Sequence, residues 1–177
     1  MRPLDKKNSI FEKYNQLVKR LEYLENRVKF LEQSAHKKKF LLKSFLCRMK
    51  NGEELSNDFI VNEMSYLDLS PEKAYRIYQD PNRDFVFLDV SKQVFQPSLE
   101  IAEAKKIPLE DLEFSTHLLP GKKTFIFVIS EDGVRSILAC KKLSKLGYYN
   151  LNNISGGYRY WPGKNSSQQS ESTLKLA

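Results

Sequence analysis

The apolar residues of the chain follow two different periods, and the first is helical. Residues 9–49 contain neither Pro nor Gly, and Asn51-Gly52 follows directly as a helix stop. Within this stretch the apolar spacing alternates between four and three, which is the pattern of a heptad repeat. The apolar positions are Ile10, Tyr14, Leu17, Leu21, Leu24, Val28, Leu31 and Ala35, followed, after a lapse at Lys38, by Leu42, Phe45 and Met49. The pattern predicts a long N-terminal coiled-coil helix within residues 1–52.

A coiled coil implies self-association, and the charged positions agree with it. In a parallel dimer each g residue faces the next e residue of the partner, which pairs Arg20 with Glu25 and Arg27 with Glu32. We therefore expect a homodimer, although three strands or an antiparallel pairing remain open. A single amphipathic helix packed along its own globular domain is the alternative. The predicted dimerisation residues are Ile10, Tyr14, Leu17, Leu21, Leu24, Val28 and Leu31.

From about Ser56 the period changes, and short apolar runs alternate with helical segments. This alternation predicts an α/β domain over residues 56–163, with a mainly parallel sheet flanked by helices. The composition of residues 164–177 is typical of a flexible tail. The predicted elements are a short strand at 64–67, a helix from Pro71 to about Asp80 capped by Ser70, a strand at 85–90, a central strand at 124–129, a helix ending at Leu146 and a final edge strand at 151–154.

The net charge of +7 belongs to the helical segment alone. Residues 1–50 carry 14 Lys and Arg against five Asp and Glu, a net charge of +9, while residues 51–177 carry 15 against 17, a net charge of −2. The lysines near the end of the helix, Lys37 to Lys39 above all, are read as a solvated helix face. An anionic membrane or nucleic acid is the alternative partner for them.

The remaining composition excludes several protein classes. Two cysteines are too few for a disulfide framework or a cysteine-rich zinc site. No apolar run approaches the roughly 18–20 residues of a membrane span, and nothing at the N-terminus looks like a secretory signal. We therefore expect a cytoplasmic protein without a metal or cofactor.

The candidate site is the loop that follows the central strand. Ligands of parallel α/β domains bind outside the carboxyl ends of the strands. A tight loop that begins a helix also presents backbone N–H groups to a negative charge. In the loop over residues 130–135, Gly133 permits the turn, and Arg135 can brace the loop or meet an anion.

The globular part resembles the rhodanese-like domain over about residues 60–163. The matching pieces are Ser70-Pro71-Glu72, Phe-Leu-Asp-Val at 87–90, Ile107-Pro108-Leu109, the loop 130–135 with Ser136, and the stretch from Asn152 to Trp161. The resemblance implies a rhodanese-like fold. It also implies the function of the loop, which in that family reads Cys-x-x-Gly-x-Arg-Ser and whose Cys passes a sulfane sulfur from a donor to a thiol or cyanide.

Ser130 stands at the position of that cysteine, and a hydroxyl cannot form a persulfide. Two further departures are the acidic residues Glu131 and Asp132 and the stretch 99–104, which lacks the glycines and the histidine of the family. The predicted vestigial active-site loop is Ser130, Glu131, Asp132, Gly133, Val134 and Arg135, and the predicted binding residues are Ser130, Gly133, Arg135 and Ser136.

These observations predict a catalytically inactive, dimeric rhodanese-like module that acts in binding, scaffolding or regulation through an unidentified protein partner. The alternative is a rhodanese-type sulfurtransferase or sulfur carrier whose cysteine is Ser130 here by engineering or divergence. Of the other candidates, we expect Cys140 to be an inert core thiol, Trp161 to close the core and Asp89 to brace loops. No role is predicted for Cys47.

Overall fold

The structure is a computed structural model that describes the backbone of residues 3–163 and the side chains of residues 10–163. The predicted flexible tail, 164–177, lies outside the described residues. Contacts divide the chain into two compact units, Met1–Phe40 and Leu41–Ala177. The last turns of the N-terminal helix therefore belong to the globular unit.

The N-terminal helix, α1, is a single element over Pro3–Lys50. It ends at the predicted stop, where the amide of Gly52 donates to the carbonyl of Met49 at 3.0 Å. Gly52 has a φ of +70°, the left-handed conformation that commonly terminates helices. The long helix is thus confirmed. None of the described helices is both long and apolar enough to cross a membrane.

The globular unit is built on a five-stranded, fully parallel sheet with the order β1-β5-β4-β2-β3. The predicted α/β class is confirmed, and β4, the most apolar strand, is central as expected. The strands are β1 (Leu67–Leu69), β2 (Val86–Asp89), β3 (Lys105–Lys106), β4 (Ile126–Ile129) and β5 (Leu151–Ile154); the other helices are α2 (Asn57–Val61), α3 (Pro71–Tyr78), α4 (Val134–Lys145) and two 3-10 turns, Thr116–Leu118 and Gly157–Tyr160.

Both faces of the sheet are covered, which is why β4 is apolar at every position. Ile126 and Val128 point into a core that includes Ala139, Cys140 and Leu143 of α4. The alternate residues of β4 join a second core with α3, in which Phe87 and Phe127 stack at 4.7 Å between ring centroids. A strand buried on both faces is expected to be continuously hydrophobic.

The position of β5 corrects the sequence prediction. This strand was expected at an edge, but it lies between β1 and β4, and all four of its residues are buried. The polar Asn152 and Asn153 are tolerated there because their side chains have hydrogen-bond partners. Asn153 donates to Asp68 Oδ1 at 2.6 Å, and Asn152 donates to the carbonyl of Ile126 at 3.3 Å.

Two smaller differences occur before α3. The first strand lies at 67–69 instead of 64–67, and the short helix α2 has no counterpart in the prediction. Ser56 caps α2 by accepting the amide of Phe59 at 3.2 Å. The predicted cap of α3 is confirmed, since Ser70 Oγ accepts the amide of Lys73 at 3.3 Å and Pro71 is the first helical residue.

The end of α1 is fixed to the sheet by a buried arginine. Arg48 has no exposed surface, and its Nη1 donates to Glu53 Oε2 at 2.7 Å and to Asn152 Oδ1 at 2.8 Å. Its Nη2 donates to the carbonyl of Leu151 at 2.7 Å, and its guanidinium carbon lies 5.3 Å from the centre of the Phe59 ring. Burial lowers the pKa of Arg48, and the Glu53 carboxylate opposes that shift.

Candidate functional site

The loop after β4 is shaped by two close backbone approaches. Gly133 adopts a φ of +89° at the start of α4, and a Cβ there would lie 2.7 Å from the amide nitrogen of Gly156. Two amides of the 3-10 turn Gly157–Tyr160 also bond to the loop. Tyr158 N donates to the carbonyl of Ser130 at 2.9 Å, and Arg159 N donates to the carbonyl of Glu131 at 3.2 Å. The loop is therefore held between α4 and the chain segment after β5. Val134 and Arg135, predicted as loop residues, form the first turn of α4.

The hydroxyl of Ser130 is buried, and the loop itself supplies its hydrogen-bond partners. Its Oγ accepts the amides of Gly133 and Ser136, both at 3.2 Å. It donates to Ser136 Oγ at 3.3 Å, and Ser136 Oγ in turn donates to the carbonyl of Gly133 at 2.9 Å. Ser130 and Ser136 both have no exposed surface. The amides of Gly133 and Ser136 are thus occupied by the serine oxygen.

Arg135 braces the loop and is neutralised by a residue that the sequence analysis missed. Its Nε donates to the carbonyl of Val90 at 3.0 Å, which ties α4 to the end of β2. Its two terminal nitrogens donate to the two carboxylate oxygens of Glu110 at 2.8 and 2.6 Å. This bidentate hydrogen bonding lowers the pKa of Glu110 to about 2. The only sequence signal for Glu110 is its place directly after Ile107-Pro108-Leu109.

The Glu110 carboxylate is expected to titrate at about 2 in the folded chain. Because this pKa lies below that of a free Glu (about 4.3), the pair stabilises the fold above about pH 4, and this contribution is lost as the pH falls towards 2. NMR detection of the carboxyl carbon would measure the midpoint. Arg135→Met is expected to return the midpoint to the ordinary range. A midpoint near 4 in the natural chain would contradict the bidentate pair.

The rim of the loop carries the two predicted carboxylates, and both accept backbone amides. Glu131 Oε1 accepts the amide of Lys92 at 2.7 Å, and Asp132 Oδ1 accepts the amide of Val134 at 3.1 Å. Two open hollows flank this rim. One, of about 670 Å³, reaches Val94, Phe95 and Arg135, and the other, of about 450 Å³, reaches Leu99, Tyr158 and Trp161.

Asp89 and Trp161 occupy supporting positions beside the loop. Asp89 accepts the amide of Ser91 at 2.8 Å and the hydroxyl of Tyr158 at 3.2 Å, so it joins two of the loops at this end of the sheet. Burial, followed by the charge of Asp89, raises the pKa of Tyr158. Trp161 is buried in the second core, with its ring centroid 5.6 Å from that of Phe87.

The two cysteines lie outside the Ser130 loop, one in α4 and one in α1. Cys140 is fully buried on the sheet side of α4, and burial raises the pKa of its thiol. Cys47 lies in α1, and its Sγ donates to the carbonyl of Lys123 at 3.6 Å. Burial, together with the charge of Glu53, also raises the pKa of Cys47. A raised pKa disfavours the thiolate that sulfur chemistry requires. Among the described residues, no cluster of His, Cys, Asp and Glu could hold a metal ion.

The predicted dimerisation residues form an exposed stripe along α1. All of them are at least 48% exposed. They are Ile10, Tyr14, Leu17, Leu21, Leu24, Val28 and Leu31.

Comparison with solved structures identifies the fold. A rhodanese-like domain protein from Staphylococcus aureus aligns over 55% of this chain and 93% of its own length, with a TM-score of 0.50 and 18% identity. A rhodanese-related protein from Thermoplasma volcanium aligns over 54% and 90%, with a TM-score of 0.47 and 26% identity. A rhodanese homologue from Thermus thermophilus aligns over 52% and 98%, with a TM-score of 0.42 and 23% identity.

No protein-family profile matches the sequence, and a search of curated proteins finds no significant match. The likeness to the Staphylococcus aureus protein shows that this chain has the rhodanese-like α/β fold. The fold expected from the sequence resemblance is therefore confirmed.

Proposed function

We propose that this chain is a catalytically inactive rhodanese-like domain that acts as a dimeric binding or scaffold module. The observation that carries the proposal is the state of Ser130, which follows β4 and which the sequence resemblance aligns with the cysteine of the family motif. Its hydroxyl is buried and accepts two amides of its own loop, those of Gly133 and Ser136. A group in this state supports the loop conformation and has no exposed atom to offer a substrate.

The chemistry of a hydroxyl supports the loss of activity. Sulfane-sulfur transfer requires a sulfur–sulfur bond on the enzyme, which an oxygen nucleophile cannot provide. A serine nucleophile of another kind would need an adjacent base. The described hydrogen-bond partners of Ser130 Oγ are two amides and the hydroxyl of Ser136. The ring of His117 bonds instead to the carbonyl of Phe114 at 3.1 Å.

The electrostatics of the loop support the same conclusion. The guanidinium of Arg135 is bound at both terminal nitrogens by Glu110, and its Nε lies 3.7 Å from Glu131 Oε2. Asp132 adds a further carboxylate to the exposed rim. A small anionic donor such as thiosulfate would meet two carboxylates at the arginine and a third on the rim. The loop is therefore poorly suited to a substrate of that charge.

In an assay that transfers sulfur from thiosulfate to cyanide, the natural chain is expected to give no turnover above buffer. Ser130→Ala is the matched control, because it removes the hydroxyl and leaves Cys47 and Cys140 in place. Equal background rates for the two chains support an inactive loop. Turnover by the natural chain that Ser130→Ala abolishes would contradict the proposal.

The hollow between the rim and the 92–96 loop supports a role in binding. It exposes Val94 and Val134, which are 88% and 59% exposed, beside the charged groups of Lys92 and Asp132. Apolar side chains surrounded by charges are typical of a surface that recognises another protein. We propose that a protein partner binds there.

The exposed stripe of α1, from Ile10 to Leu31, supports the dimer, and we call the interface that it would form with a second copy the seam. On a lone helix these side chains remain in water, whereas each Leu buried in a seam contributes roughly 1.5–3 kcal/mol. The charges beside the stripe complement a parallel second copy, since Arg20 would face Glu25 and Arg27 would face Glu32. A second copy of this chain is therefore the occupant that the stripe fits.

Leu17→Lys with Leu24→Lys is expected to convert the dimer to a monomer, because it places four ammonium groups inside the proposed seam. Light scattering of the full chain at micromolar concentration measures the mass. Tyr23→Lys with Phe30→Lys is the matched control, since these exposed residues lie off the seam at c positions of the heptads. The proposal is contradicted if the natural chain is already a monomer, or if both double variants keep the dimer mass.

A further inference from the structure

The last turns of α1 have two different faces within the globular unit. One face packs on the domain, with Leu41, Ser44 and Arg48 at most 6% exposed. The other face carries Leu42, Leu46 and Met49, which are 57%, 58% and 66% exposed. Their spacing of four and three places them on one side of the helix. We call these three residues the basal stripe.

Within α1, the charge beside the basal stripe has one sign. Lys43 and Lys50 each follow a stripe residue and are exposed. Residues 33–52 contain five lysines and one arginine but no Asp or Glu, and the arginine is the buried Arg48. An apolar stripe flanked by lysines is typical of a helix that lies in a membrane interface. We propose that the basal stripe docks on an anionic lipid surface.

The charge pattern favours lipid over a second copy of the chain. The attractive pairs of the proposed seam end at Glu32, and Lys38 then occupies a d position. In a parallel dimer this lysine would face its own copy across the seam, and no acidic residue is near in sequence to offset it. The seam thus suits residues 10–31, whereas Lys38, Lys43 and Lys50 favour an anionic partner.

The exposed apolar groups favour lipid over nucleic acid. Phosphates would neutralise the lysines but would leave the leucines and Met49 in water, whereas a bilayer interface accepts both. The neighbouring helix α2 packs on α1 through Phe59, whose ring lies 5.7 Å from that of Phe45, and it exposes Ile60 and Val61 as well. Lysine side chains beside such a stripe can reach the headgroups while the apolar residues insert.

Cosedimentation of the full chain with vesicles tests the proposal. The chain is expected to pellet with vesicles of phosphatidylcholine and phosphatidylglycerol and to remain in solution with phosphatidylcholine alone. Added salt is expected to weaken the binding, because the lysines are exposed and screened. The proposal is overturned if the chain does not pellet with the anionic vesicles, or if it pellets equally with both kinds.

Two double variants separate the apolar and charged contributions. Lys43→Gln with Lys50→Gln, and Leu42→Ser with Leu46→Ser, are each expected to lower the partition coefficient at least roughly tenfold. Phe114→Ser and Lys141→Gln are controls, since these exposed residues lie elsewhere on the domain. Circular dichroism confirms that each variant folds.

The same variants distinguish the competing occupants. The Leu42→Ser, Leu46→Ser chain is expected to keep the mass of the natural chain in light scattering. A fall in that mass, with lipid binding unchanged, would assign the basal stripe to a second copy. Tighter binding to an oligonucleotide than to anionic vesicles, insensitive to the leucine changes, would assign the lysines to nucleic acid. The test is independent of whether the Ser130 loop is active.

Discussion

Arg48→Met is expected to destabilise the domain by about 3–5 kcal/mol, which is the usual cost of removing one partner from a buried ion pair. The change leaves the Glu53 carboxylate, whose side chain is 7% exposed, without its cation. It also removes the donors of Asn152 Oδ1 and of the carbonyl of Leu151, both inside the sheet. Urea denaturation of the full chain, followed by circular dichroism, measures the loss.

Two further chains make this prediction specific. Lys43→Met removes an exposed cation from the same helix and is expected to change the free energy of unfolding by less than about 0.5 kcal/mol. Arg48→Met with Glu53→Gln removes both charges and is expected to recover part of the loss, because no carboxylate is then buried alone. Equal stability of Arg48→Met and Lys43→Met would contradict the role of Arg48 in fixing the end of α1 to the sheet.

Gly157→Ala is expected to destabilise the domain by about 3 kcal/mol through steric conflict at the loop. A Cβ at this position would lie 1.9 Å from the carbonyl oxygen of Ser130 and 2.8 Å from the amide nitrogen of Gly133. Both are backbone atoms, so neither can swing away. The φ of +58° adds the strain of a left-handed alanine.

Gly52→Ala is the matched control for the backbone strain. It has a φ of +70°, but a Cβ there would meet no atom within 4 Å. Gly52→Ala should therefore lower the free energy of unfolding only by the cost of a left-handed alanine, about 1–2 kcal/mol. Thermal unfolding of both variants measures the difference. If Gly157→Ala were no worse than Gly52→Ala, the close contact between the 3-10 turn and the Ser130 loop would be refuted.

The parts of the fold that local pattern determines could be predicted from the sequence. The run from Phe125 to Ile129 is apolar at every position because β4 has a core on each face. The end of α1 could be placed because Gly52 takes a conformation that other residues avoid. The cap at Ser70 could be placed because Pro71 fits only the first turn of a helix.

The parts that depend on partners distant in sequence could not be predicted. β5 looks like an edge strand because it contains two asparagines. Their partners Arg48 and Asp68 lie 104 and 85 residues away, and no local pattern indicates them. Arg48 itself looks like one more cation of a basic helix, although Leu41 and Ser44 are on the same face.

The candidate site likewise has a part that the sequence predicts and a part that it does not. Its place in the chain follows from the central strand and the motif, and Gly133 and Arg135 have the loop-forming roles expected of them. What the motif does not contain is Glu110, which takes both terminal nitrogens of Arg135. The availability of the arginine to an anion therefore depends on a residue 25 positions earlier in the chain.

The inactivity of the Ser130 loop is tested most sharply by sulfur transfer from thiosulfate to cyanide, measured for Ser130→Cys beside the natural chain. Neither chain is expected to give turnover above buffer, because the thiol would be buried where the hydroxyl is and Glu110 would still hold Arg135. Turnover by the natural chain would contradict the inactive assignment outright. Turnover by Ser130→Cys on the order of 1 s⁻¹ or faster, a normal enzymatic rate, would contradict the degenerate loop and show that the site lacks only the thiol for sulfur transfer.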